Sequence, residues 1–187
     1  MVELAFITSL SVPLFFGIAT LGVRLGRALS ATQVTRDVAH MYALGSDFSL
    51  PGTQAIARTL SRDFNLTPGG NSVIILSRIV KIYQGDCAAA GLSNCPNLNQ
   101  AVFQQRITVG NPYLKASSYG TPPAAYVDGQ GNIAAVEYCR QMTLIASGFT
   151  SVIPLAQGQM AWLVEGYFAI PSLIPGQPGG YYVRFVL

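Results

Sequence analysis

Between Glu3 and Arg24 the chain carries no charged side chain, and the intervening run LAFITSLSVPLFFGIATLGV is mainly apolar. A helix of that length crosses the ~30 Å hydrocarbon core of a bilayer at 1.5 Å per residue, so the pattern predicts a membrane span. Arg24 and Arg27 follow directly and mark its boundary, where long cationic side chains reach back to the headgroups. The apolar stripe continues past them through Leu21, Leu25, Leu29, Val34, Val38, Met41 and Tyr42, at spacings near three and four and with no further proline until Pro51. One continuous helix of about 45 residues, roughly 65 Å long, is therefore expected. The head can cover part of its stripe, leaving the rest for neighbouring copies. Pro13 removes a backbone hydrogen bond in mid-span and predicts a kink or a short unwound stretch. Gly17, Gly22 and Gly26 allow close helix approach, the last two at GxxxG spacing.

The pattern changes after Gly45-Ser46-Asp47. Pro51 opens a short helix over 51–63, with Ile56 and Leu60 as its apolar positions, expected to lie over a sheet. Runs rich in β-branched and aromatic residues predict strands at Ser72–Tyr83, Ala101–Val109, Gln159–Ile170 and Tyr181–Leu187. The segment Ala134–Ala146 suits a helix or a strand, and we favour a strand over Glu137–Ile145. Tyr113–Ile133 and Pro171–Gly180, rich in Gly, Pro, Ser and Tyr, predict long surface loops. The fold class is α+β: a long N-terminal hydrophobic helix, residues 1–47, packed against a small antiparallel β-sheet head, residues 48–187.

Composition sharpens this picture. Charged residues are 10% of the 187, hydrophobic residues 50%, and mean hydropathy is +0.39, against roughly 25% charged residues in ordinary soluble domains. Glu3 is the only charge before Arg24, yet the head is still charge-poor, which favours burial against other copies or partners. The eleven Lys and Arg residues are dispersed and the net charge is only +3, so nucleic acid is not an expected partner.

Cys87 and Cys95, eight apart in a Gly- and Asn-containing loop, can close a small disulfide ring if the head lies in an oxidising compartment. Cys139 then remains as a buried free thiol, and with His40 the lone histidine no metal centre and no cofactor is expected. The ring places the head outside the cell, whereas cations following the span would on their own place it inside; positive charges on a removed leader would reconcile the two. No nucleophile elbow, phosphate loop or dinucleotide fingerprint is present, so no enzyme is expected. His40 suits a packed or solvated position on the long helix, and Asp128-Gly129-Gln130-Gly131-Asn132 a turn rather than a calcium loop.

The opening Met1-Val2-Glu3-Leu4-Ala5-Phe6, the apolar run, the exit Gly22-Val23-Arg24-Leu25-Gly26-Arg27-Ala28-Leu29 and the polar helix through Gln33, Arg36 and Ala39 resemble the TadE/TadG-like pilins of tight-adherence systems. The resemblance covers about the first 45 residues closely and the late strands in general plan. It implies a structural subunit of a type IV pilus-like filament, a helical homopolymer whose helices bundle in the core while the heads are exposed for adhesion. It further implies a precursor in the bacterial inner membrane, a leader cut by prepilin peptidase, the pilus assembly machinery as partner, and an extracellular filament as destination. The family's conserved acid near the mature N-terminus maps onto Glu3, whose carboxylate would meet the α-amino group of an adjacent copy. A basic leader and a cleavage glycine, which the family pattern has, do not appear in this sequence, so either the numbering starts inside the protein or processing differs, and the length is closer to that of minor pilins. A minor pilin that primes or caps the filament and a non-polymerising, membrane-anchored envelope binding protein are the alternatives.

Overall fold

The computed structural model describes residues 2–61, 63–171 and 179–187, with helical side chains described from residue 11 onward. Helix α1 runs Val2–Ala43 without interruption through Pro13, so the short unwound stretch expected there is not formed; the pyrrolidine removes one hydrogen bond and the turns on either side carry the helix across. Gly45 ends it. Its φ of +89° lets the Gly45 N–H bond the Tyr42 carbonyl at 3.0 Å and the Ser46 N–H bond that of Met41 at 2.9 Å, closing the left-handed cap that a side chain would strain.

Helix α2, Pro51–Leu60, starts on its proline as expected. Its buried face differs from the one read from the sequence: Ala57 is its fully buried residue, while Ile56 and Leu60 are exposed. The helix packs beside the end of α1 and contributes Ala57 to the core shared with Phe48 and Phe64. Gln54 and Arg58 also hold it, donating to the Phe48 and Leu66 carbonyls at 2.9 and 3.2 Å.

The four expected strands form one antiparallel sheet. Strands β1 Ser72–Lys81, β2 Ala101–Gly110, β3 Met160–Ile170 and β4 Gly179–Val186 pair in the order β2-β1-β3-β4, with a register shift between Arg78 and Ile79. β1 is the central strand with β3, and its near-continuous apolar sequence reflects burial on both faces. One face receives α1: Ile74, Leu76, Val164 and Phe168 pack with Val34, Val38 and Tyr42. The other face is covered by α3, Gln84–Ala89, by α4, Ala135–Arg140, and by single 3-10 turns, which close a second core around Phe103, Leu144, Phe149 and Leu163.

Helix α4 and the 3-10 turn Met142–Leu144 replace the strand favoured over Glu137–Ile145. The chain turns here to place Tyr138, Cys139 and Leu144 in the second core, which an alternating strand would have divided between two faces. Only Ile145 retains strand character, as a single bridge to Val102. The expected loop over Tyr113–Ile133 is less superficial than its composition suggests, because Tyr119 is buried. Most of the loop expected over Pro171–Gly180 lies outside the described residues.

Candidate membrane and assembly surface

Helix α1 has two unlike halves. From Ala31 the buried positions are Ala31, Val34, Thr35, Val38, Ala39 and Tyr42, a single face at helical spacing laid on β3 and β4. Before it, the large apolar side chains among the described residues, from Val12 to Leu29, are exposed. Phe15 is 71% exposed, Leu21 68% and Leu29 57%. The helix is long and apolar enough to cross a membrane.

The two halves meet at a defined neck. The Tyr181 hydroxyl donates to the Arg24 carbonyl at 2.8 Å, and Arg24 Nη2 donates to the Pro171 carbonyl at 3.3 Å. The end of the β3–β4 hairpin is thereby fixed to the helix at the first cation after the apolar run. Arg27, one turn on, is exposed. Gly17, Gly22 and Gly26 all face open space, where an added Cβ would meet nothing within 4 Å. Packing among the described residues does not require them to be glycine, and the pair Gly22 and Gly26 shares a face by its spacing. Glu3 is part of α1, but its side chain lies outside the described residues.

The cysteine loop takes the expected form. Cys87 of α3 and Cys95 are disulfide-bonded, with Cα atoms 5.8 Å apart, and Cys139 is a free, buried thiol. Closing a ring of sequence separation 8 stabilises the head by about 2.5 kcal/mol through the unfolded chain. The three sulfurs lie within 4.8 Å of one another, yet two of them are bonded to each other and offer no thiolate to a metal. Burial and the Asp86 carboxylate push the Cys139 thiol above its ordinary pKa.

A buried polar cluster, unforeseen in the sequence, ties the 117–120 loop to the sheet. Glu165 on β3 is 1% exposed and accepts from Ser117 Oγ, from the Ser118 N–H at 2.9 Å and from the Tyr182 hydroxyl at 2.6 Å. Nearby, Arg106 stacks over Phe103, 4.4 Å from the ring centroid, and donates to the Gly120 carbonyl at 2.6 Å. Burial lowers the Arg106 pKa to about 10, with Glu165 and Tyr42 opposing the shift. Burial raises that of Tyr182, whose hydroxyl is held by Glu165, to about 12.

Tyr42 gives this region a measurable alkaline signature. Its hydroxyl donates to Gln105 Oε1 at 2.8 Å, and burial raises its pKa well above the ordinary 10.0. The unfolded chain therefore loses the phenolic proton first, so stability is full below pH 10 and falls as pH rises above it. Tyr182 acts in the same direction; Arg106 acts in the opposite one, because the folded state sheds its proton at lower pH than the unfolded chain. Chemical denaturation of the whole chain in detergent should show stability falling above pH 10. Tyr42→Phe should flatten that fall while losing about 1 kcal/mol at neutral pH; an unchanged slope would remove Tyr42 as its source.

His40 is exposed on α1. Asp128 forms a closed turn, its Oδ1 accepting from the Gln130 and Asn132 N–H groups at 2.8 and 2.7 Å, so its carboxylate is already occupied by amides. Comparison of the chain with protein-family models, curated proteins and solved structures finds no match.

The residues missed in the sequence are those that join the parts: Tyr181 at the neck, Glu165 in the sheet, and Gly166 beneath Thr35. Gly166 alone had a readable signal, an isolated glycine within a strand, which marks a close backbone approach.

Proposed function

We propose that this protein is a structural subunit of a type IV pilus-like filament, held in the bacterial inner membrane by α1 before assembly and carried outside the cell with its head exposed. The observation that supports this reading is the division of α1. Its C-terminal half is part of the head core, and before that the described residues from Val12 to Leu29 offer an uncovered apolar surface with Gly17, Gly22 and Gly26 open to close neighbours. A bilayer satisfies such a surface first, and a bundle of the same helices satisfies it after extraction. In the bundle, Glu3 would pair with the α-amino group of an adjacent copy, and the charge-poor heads would tile the exterior for adhesion. Prepilin peptidase and a pilus assembly machinery are the partners this route requires. Catalysis has no part in it.

Shearing surface filaments from producing cells and identifying their main chain by intact mass tests this directly, in the wild type and in Glu3→Ala. Abundant filaments of this chain, lost in the variant, are expected. Filaments built of another chain would give this one a minor role in priming or capping. None at all, in cells rich in the protein, would leave a monomeric envelope binding protein anchored by α1.

A further inference from the structure

Cys139 sits closer to the disulfide ring than an inert thiol needs to. Asn97, two residues after Cys95 and fully buried, clamps the ring loop to the end of α4: its Nδ2 donates to the Tyr138 and Gln141 carbonyls, each at 2.8 Å, and its N–H donates to the Cys139 carbonyl at 3.3 Å. The Cys95 sulfur lies 3.6 Å from that same carbonyl. All three sulfurs fall within 4.8 Å of one another, and the clamp that holds Cys95 beside Cys139 is made of hydrogen bonds outside the ring bond. Cys87 and Cys139 are buried, at 1% and 0% exposure, whereas Cys95 is only half-buried.

We propose that these three residues form an intramolecular thiol–disulfide exchange site, in which Cys139 displaces Cys95 from the ring and frees a thiol at the head surface. The Cys139 thiolate attacks the Cys87 sulfur; the Cys87–Cys139 bond forms as the Cys87–Cys95 bond breaks. Cys95 leaves as a thiolate and takes up a proton, balancing the one Cys139 released. Two sulfurs are bonded before and after, so no oxidant or reductant is consumed. Cys95 is the favoured leaving group because water reaches it and solvates its charge. Burial of Cys139 and the neighbouring Asp86 keep the attacking thiol protonated at neutral pH, so the ring form persists and the exchange is slow. The site is independent of whether the chain polymerises.

The test uses the whole chain in detergent, without reductant, incubated with a maleimide on a polymer too bulky to enter the core. Labelling at Cys95, with peptide mapping showing a Cys87–Cys139 bond, is expected in the wild type and lost in Cys139→Ser. Labelling at Cys139 with the original ring intact would show local opening instead and overturn the proposal, as would no labelling in either chain. Should Cys139→Ser fail to fold, Cys95→Ala oxidised with glutathione disulfide decides the matter. A Cys87–Cys139 bond is then expected, and two free thiols in a folded chain would overturn the exchange.

Discussion

Gly166→Val should cost the head about 3 kcal/mol and release α1 from the sheet. A Cβ built at Gly166 collides with Thr35 Oγ1 on α1 and with the Phe168 ring. Neither neighbour can withdraw easily. The Thr35 hydroxyl is fixed by donating to the Ala31 carbonyl at 2.8 Å, and Phe168 is fully buried against Phe64, with ring centroids 4.5 Å apart. Gly166→Ala should lose less, and Thr35→Ala should recover part of that loss by clearing one of the two obstacles. Denaturation midpoints of the two single variants and the double variant measure the coupling. Strict additivity would mean that α1 does not rest on β3 at this point.

Glu165→Leu should be the most damaging polar replacement, at about 3–5 kcal/mol. It removes one acceptor from Ser117, from the Ser118 N–H and from Tyr182. It also removes the carboxylate that offsets burial of Arg106. Glu165→Gln retains a carbonyl for some of these donors and should lose roughly half as much. Equal stability of Glu165→Leu and wild type in a denaturant titration would show that the 117–120 loop is held by packing alone. The expected loss comes with faster hydrogen exchange at Ser118, whose amide loses its acceptor.

The four strands were legible in the sequence because β-branched and aromatic residues concentrate there and glycine and proline separate them. The continuous helix was legible for a similar reason, since nothing but Pro13 interrupts 42 residues. Which face of it enters the head was only half legible. Val34, Val38 and Tyr42 are buried and Leu21, Leu25 and Leu29 exposed, as a stripe only partly covered by the head predicts, but Ala31, Thr35 and Ala39, which complete the buried face, lie off that stripe. Hydrophobicity undervalues such small residues, which serve here by allowing the helix to lie close to β3. The same bias favoured Ile56 and Leu60 over Ala57 in α2. Helix α4 escaped because AAVEYCRQMTLIA has neither period over enough residues to decide.

The neck and the Glu165 cluster were illegible for a different reason. Their contacts join residues far apart in the chain, Arg24 to Tyr181 and Ser117 to Glu165, and no local pattern marks a partner at that distance. The disulfide was readable because its two ends are close in sequence. The clamp formed by Asn97 was not, because its acceptors, the Tyr138 and Gln141 carbonyls, lie at the end of α4, some forty residues on.

The seat for α1 is built from β3 and β4, the last strands of the chain. During synthesis the helix therefore emerges before its seat and waits, with Val34, Val38 and Tyr42 uncovered, until β3 and β4 have been made. Insertion of the leading half into a bilayer would hold the helix apart from other nascent chains throughout that interval, when exposed apolar faces are most prone to aggregate. A chain truncated before β3 would keep the apolar helix and lose the seat, leaving α1 without a head to complete it.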